Sequence, residues 1–189
     1  MKYLIAGLGN IGKEYENTRH NIGFKILDAL AGASNVVFSD NRYGFVAEMK
    51  YKARTFILLR PTTYMNLSGR AVYYWLKKEE IPLDNLFVLV DDIALPLGTI
   101  RIKAKGSAGG HNGLQNINDV LGTNEYARLR FGIGDNFHKG YQVNYVLGQW
   151  SKEEEKELPL LIDHSVEAIK SFGTIGLERT MNFFNKKNA

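Results

Sequence analysis

Leu86-Phe87-Val88-Leu89-Val90 is the most continuous apolar run in the chain, and it stops at Asp91-Asp92. An apolar run without polar alternation marks a central strand buried on both faces. Such a strand needs a helical layer on each side of its sheet, so the flanking sequence decides whether the reading holds.

Upstream, Lys2 to Ala6 predicts a short buried strand that runs into Gly7-Leu8-Gly9-Asn10-Ile11-Gly12. Ile22, Ile26, Leu27 and Leu30 recur at helical spacing, with Asn17 or Thr18 as N-cap and Gly32 near the end. Phe45, Ala47, Met49 and Tyr51 alternate with polar neighbours, and Thr55 to Leu59 is rich in β-formers, so the two predict a hairpin that Pro61 ends. Val72, Trp75 and Leu76 predict a helix from near Ser68. Downstream, a strand over Ile100 to Ala104 leads into the glycine-rich Gly106 to Gly113. Leu114, Ile117 and Leu121 then predict a helix, and Ala127 to Ile133 another strand. Ser151 and Glu154 form a capping-box pattern for a C-terminal helix, interrupted or kinked at Pro159.

Strands and helices interleave throughout. The expected fold is a single α/β domain over residues 1–189, a twisted mixed β-sheet flanked by helices. Sites in open sheets gather at the carboxyl ends of strands, and three segments are expected there: Gly9-Asn10, Asp91-Asp92 and Gly106 to Asn112.

The 189 residues are 44% hydrophobic and 23% charged, a size and composition that suit one packed core. The absence of cysteine excludes disulfides, thiolate nucleophiles and cysteine metal sites together. The apolar start is too short for a signal peptide and no long apolar stretch follows, so a cytoplasmic protein without membrane insertion is expected. A net charge of +4 says little by itself. Its placement says more, because Arg101-Ile102-Lys103-Ala104-Lys105 and Arg128-Leu129-Arg130-Phe131 both alternate basic and apolar residues. On strands this gathers the basic side chains on one face, either as a phosphate-contacting patch or as protection of an edge.

The glycine run fits G-x-G-x-x-G, a dinucleotide fingerprint, but that motif needs a helix at once and an acidic residue roughly 20 positions on. Lys13-Glu14-Tyr15-Glu16-Asn17 has no apolar stripe, and Asp28 falls inside the predicted helix. The glycines are better read as a sharp turn that presents Asn10. His20, in Thr18-Arg19-His20-Asn21, is a candidate base, and Asp91 at the end of a buried strand suits a carboxylate that orients an imidazole. Asp91-Asp92 with His20 or His111 as metal ligands ranks lower, because no short-spaced ligand cluster such as H-E-x-x-H is present. The nucleophile elbow G-x-S-x-G is missing, Ser107 coming nearest, and no Walker G-K-[ST] follows the second glycine loop. Hydrolysis would therefore use an activated water. Asn10, Asn66 and Asn112 are placed in loops where neutral amides suit an ester or peptide carbonyl.

These residues together resemble the bacterial peptidyl-tRNA hydrolase family. The matching segments are Gly7 to Gly12, Tyr15, Thr18-Arg19-His20-Asn21, Pro61-Thr62-Thr63-Tyr64-Met65-Asn66-Leu67-Ser68-Gly69, Val90-Asp91-Asp92, Gly109-Gly110-His111-Asn112-Gly113 and Arg128 to Gly134, in family order over almost the whole chain. The resemblance implies a monomeric α/β hydrolase that cleaves the ester between a peptide and the 3′-ribose of tRNA. It implies His20 as catalytic base held by Asp91, and Asn10 as the residue that tells blocked from unblocked aminoacyl-tRNA. It also implies that Tyr15, Tyr64, Asn66 and Asn112 line the site for the substrate's 3′ end, and that Lys103 and Arg130 clamp the 5′-phosphate of the acceptor stem. Val143 to Trp150 falls where the family gates its cleft, with a loose match. The departures are Ile11 for a frequent proline, Tyr64 for a common phenylalanine and Ala94 for a second aspartate, which weakens any scheme with two carboxylates around His20. Neither a metal nor an organic cofactor is required. Two alternatives stand at this point: a non-catalytic RNA-binding protein and a dinucleotide-dependent oxidoreductase.

Overall fold

Leu86–Asp92 is an interior strand of the sheet in the structure, a computed structural model that describes residues 1–186. Leu86, Val88 and Val90 pack into one apolar layer, and Phe87 and Leu89 into the other, so the run had no face to leave polar. The elements follow as β1 (Lys2–Gly7), α1 (Ile22–Ala33), β2 (Ser39–Asn41), β3 (Gly44–Tyr51), β4 (Arg54–Pro61), α2 (Ser68–Lys78), β5 (Leu86–Asp92), β6 (Ile100–Lys103), α3 (Asn112–Leu121), β7 (Ala127–Gly132), α4 (Gln142–Val146), α5 (Lys152–Ile175) and α6 (Leu177–Phe184).

The sheet has the order β2-β3-β4-β1-β5-β7-β6. β1 runs parallel to β4 and β5, and β5 parallel to β7, whereas the β2-β3-β4 edge and the β6-β7 edge are antiparallel. This is the expected mixed α/β sheet. Apolar residues of α1 and α5 cover the face with Phe87 and Leu89, and those of α2 and α3 cover the opposite face. Among the described residues no helix is long and apolar enough to cross a membrane. The expected boundary at Ala189 lies outside the described residues.

Several expectations change. Neither Asn17 nor Thr18 caps α1; a 3₁₀ turn over Arg19–Asn21 precedes it, and Asn21 stands at its N-cap with its side chain turned elsewhere. The capping box of Ser151 and Glu154 is present, but α5 continues uninterrupted through Pro159. Proline inside a helix costs about 3 kcal/mol. Burial of Leu158, Ile162, Val166, Ile169 and Phe172, at about 1.5–3 kcal/mol for each fully buried side chain, outweighs it. β2 is wholly exposed and α4 buries no residue, so neither has an apolar pattern to announce it.

Two features place the site. A Cβ on Gly7 would collide with the Gly23 carbonyl, and one on Gly23 with the backbone of Leu8 and Leu89. The glycines thus let α1 lie directly on β1 and β5, and no helix starts within the fingerprint, where a dinucleotide would need one. The second feature corrects an expectation. Because β6 is antiparallel, with Lys103 opposite Arg128 near the start of β7, its carboxyl end lies away from those of β1 and β5. The loop from Gly106 to His111 must therefore travel back across the sheet to reach Asp91.

Candidate active site

Asp91, the penultimate residue of β5, is 5% exposed and is held from two sides. Nδ1 of His20 lies 2.9 and 3.0 Å from its two oxygens, and Nε2 of His111 lies 2.9 Å from Oδ1. The tautomer of His111 follows from its own surroundings. Its Nδ1 accepts the backbone N–H groups of Gly113 at 3.1 Å and Leu114 at 3.3 Å, capping α3, so the ring proton sits on Nε2 and is donated to Asp91. Neutral His20 in turn carries its proton on Nδ1, against the carboxylate, which leaves a lone pair on Nε2.

The electrostatics agree. Burial pushes the His20 pKa down, but the charge of Asp91 and its hydrogen bond outweigh burial and raise it above the ordinary histidine value. Burial pushes the Asp91 carboxyl up, and the two imidazoles overcome this, holding it well below the usual carboxylate range. A negative charge is thus fixed beneath His20.

His20, Asp91 and His111 place one potential metal-ligand atom each within 4.8 Å of one another, which sequence spacing could not show. The donor set does not suit a metal. His111 Nδ1 faces two N–H groups, so Nε2 would have to give up the only ring proton to coordinate, and every candidate ligand atom is already in a hydrogen bond.

Asn10 belongs to a different set of bonds. Its backbone N–H donates to Asn21 Oδ1, and Asn21 Nδ2 donates back to the Asn10 carbonyl, each at 2.8 Å. Its side-chain Oδ1 accepts the N–H of Met65 at 2.7 Å, so the free end of Asn10 is its NH₂ donor. That bond braces an unusual turn. Tyr64 has φ 61° and ψ 159°, a region that strains any residue but glycine by roughly 1–3 kcal/mol. Its ring is 49% exposed and Asn66 is exposed beside it. Tyr15 ends a 3₁₀ turn, half-buried, with its carbonyl accepting from the Thr18 hydroxyl.

A cleft of about 160 Å³ opens at His20. It brings His20, Asp91, Asn112, Lys103 and Arg130 together; Asn10, Tyr15, Tyr64 and Asn66 lie outside its walls. The alternating basic residues do share a face, as expected, because Arg128 pairs with Lys103 and Arg130 with Arg101. Their states differ. Lys103 is exposed, and Arg130 gives its Nε to Asp92, leaving the two terminal nitrogens of its fork without a protein partner among the described residues. Arg128 is 1% exposed and serves neither as a surface phosphate contact nor as edge protection. It donates to the carbonyls of Gly106, Asn124 and Tyr126 and lies 4.2 Å over the Tyr126 ring, anchoring the returning loop. Burial lowers its pKa and pushes the Tyr126 hydroxyl up to about 12. Near Ala94, Asp92 is the second carboxylate, but it is taken up by Arg130 and the Ala94 N–H.

Sequence reasoning missed His111 as the second support of Asp91 and Asn21 as the clamp on Asn10. Their signals were present in His111-Asn112 before a helical stripe and in Asn21 beside His20, but both suit loops for backbone reasons alone.

The comparisons bear on this arrangement. The family model described as peptidyl-tRNA hydrolase matches residues 4–189. A peptidyl-tRNA hydrolase of Phocaeicola vulgatus is 58% identical over 187 residues, 99% of this chain and 100% of the relative. That of Porphyromonas gingivalis is 58% identical over 185 residues, covering 98% and 100%. The crystal structure of peptidyl-tRNA hydrolase from Acinetobacter baumannii superimposes with a TM-score of 0.91 at 34% identity, over 98% of this chain and 95% of that one. The match extends over almost the whole length of the chain and of its relatives, and the chain belongs to the peptidyl-tRNA hydrolase family.

Proposed function

We propose that this chain hydrolyses the ester joining a peptide, or an N-blocked amino acid, to the 3′-ribose of tRNA, with His20 as general base. Membership of the family and its close relatives support the activity. The observation that carries the mechanism is the Asp91 carboxylate bonded to His20 Nδ1, which leaves Nε2 to accept a proton. Water gives that proton to Nε2 as its oxygen attacks the ester carbonyl. Donors near Asn10 and Asn112 stabilise the oxyanion, and as the bond to the ribose 3′-oxygen breaks the imidazolium gives its proton to that leaving oxygen, forming the 3′-hydroxyl. General-base catalysis supplies roughly 10²–10⁴-fold, enough to matter for an activated ester.

The Asn10 NH₂, its oxygen already occupied, suits a carbonyl acceptor of an acylated amino group and not a free ammonium. Tyr15, Tyr64, Asn66 and Asn112 contact the substrate's 3′ end, and Lys103 with the free end of the Arg130 fork takes the 5′-phosphate. The scheme requires no metal or organic cofactor. Residues 1–189 act as one domain and as a monomer, in the cytoplasm where tRNA is used. The test is incubation with N-blocked aminoacyl-tRNA, scoring deacylated tRNA. Release supports the reading, and binding without turnover would favour an RNA-binding protein without catalysis.

A further inference from the structure

α4 forms part of the cleft wall through Gln142, Val143 and Val146, yet it has five residues and none is buried. A helix that short has no stability of its own in water. The Tyr145 hydroxyl donates to the Ile133 carbonyl and its ring packs on Phe137, and the remaining polar attachments meet at Arg19, the residue before His20. Arg19 Nη1 donates to the Tyr145 carbonyl at 2.9 Å, its backbone N–H donates to Gly148 at 3.1 Å, and its guanidinium lies 4.1 Å over the Tyr145 ring. The rest of the fork reaches Glu154, with Nη2 at 2.7 Å and Nε at 3.3 Å. Glu154 is the capping-box residue of α5, where its Oε1 also accepts the Ser151 N–H at 2.8 Å. The two side chains are only 11% and 15% exposed, so this pair is shielded in a way surface ion pairs are not. One guanidinium thus joins the His20 turn, α4 and the first turn of α5.

We propose that Arg19 is a positioning residue that holds α4 as the wall of the His20 cleft and thereby seats the tRNA end of the substrate beside Lys103, Asn112 and Arg130. The assignment rests on the function proposed for that cleft. A flat fork suits these partners because it grips both oxygens of one Glu154 carboxylate while its remaining nitrogen reaches the Tyr145 carbonyl, a geometry an ammonium does not reproduce. The Glu154 carboxylate is available to it at neutral pH, since the bonds from Arg19 overcome the upward push of burial and hold its pKa below the ordinary value.

The test compares wild type with Arg19→Gln, Arg19→Lys and Glu154→Gln by amide hydrogen exchange and by steady-state hydrolysis of N-blocked aminoacyl-tRNA. Arg19→Gln should speed exchange of the Tyr145, Leu147 and Gly148 amides by about tenfold or more, the size expected for a lost charge-assisted fork. The central β5 amides should not change. KM should rise about tenfold with kcat within about threefold, and Arg19→Lys and Glu154→Gln should fall between. Unchanged exchange overturns the latch whatever the activity. Faster exchange with unchanged KM, or a fall in kcat alone, overturns its role in seating. Should wild type fail to release tRNA, the functional reading falls, and the exchange data still decide whether Arg19 holds α4. If Arg19→Gln fails to fold, the other two variants carry the same comparison.

Discussion

Two regions near His20, one bonded to the neighbouring Asn21 and one the cleft His20 lines, are built from opposite materials. On one, Asn10, Asn21 and Met65 are buried and joined by hydrogen bonds that occupy the Asn10 oxygen and leave its NH₂ without a protein partner among the described residues. On the other, Lys103, Asn112 and Arg130 face a cleft with charges that are exposed or half-committed. Buried, mutually satisfied groups hold a fixed geometry because leaving any of them unpaired is costly. Exposed charges attract from a distance and tolerate motion, and salt weakens them. In the proposed function, discrimination belongs to the first region and capture of the nucleic acid to the second, with the proposed chemistry at His20 and Asp91.

The largest effect should come from the residue near both regions. His20→Ala is expected to lower kcat by roughly 10²–10⁴-fold with little change in tRNA affinity. Near-normal turnover in single-turnover and steady-state assays would remove the axis of the comparison. Asp91→Asn keeps the shape but loses the charge, with a smaller loss on the order of 10²-fold. It should also move the pH profile. Neutral His20 is the active form and its pKa is raised, so activity in wild type falls as pH drops through a value above the ordinary 6.5. Asparagine removes what raises that pKa while burial remains, so the acidic limb should shift to lower pH. A limb that stays in place would detach Asp91 from His20.

The buried side is tested next. Asn10→Ala, or Asn21→Ala acting through the Asn10 backbone, should narrow the preference for blocked over unblocked substrate. The buried polar partners at stake are worth about 1–3 kcal/mol, roughly 5- to 150-fold in that ratio. An unchanged ratio of kcat/KM would transfer discrimination to Asn66 or Asn112 and erase the distinction between the two sides.

The smallest effects belong to the charged side. Lys103→Ala and Arg130→Ala should raise KM several-fold with kcat nearly constant at saturation, about the worth of one phosphate contact each. Each should flatten the log–log salt dependence of affinity by roughly 0.7 to 0.9. Substrate lacking the 5′-phosphate should bind wild type less well and lose little further in either variant. Coincident salt slopes across wild type and both variants would show these to be surface charges with no part in binding.

Much of the fold was legible because its signals are local. The double-sided burial of Leu86 to Val90, the β3-β4 hairpin, the start of α2 at Ser68 and the Ser151-Glu154 capping box each rest on period or spacing within a few residues. α4 was not legible, because a five-residue helix with no fully buried side chain has no apolar stripe to read, and its attachments to Arg19 and Ile133 are distant in sequence. The motif residues His20, Asp91 and Asn10 could be nominated from their types and strand-end positions. His111 and Asn21 could not be assigned their parts, because each acts through a partner that only folding supplies.

By itself, then, the sequence determined most of the strands and helices, their apolar faces, and the residue types that made His20, Asp91 and Asn10 candidates, since side-chain period, caps and residue type act at short range. The tertiary structure alone decided what those residues meet. His20 reaches Asp91 across 71 positions because Gly7 and Gly23 let α1 touch the sheet, and His111 returns to it because Arg128 anchors the loop that leaves an antiparallel β6. Strand order and direction set those meetings, and they are fixed by packing between distant segments that no local pattern encodes.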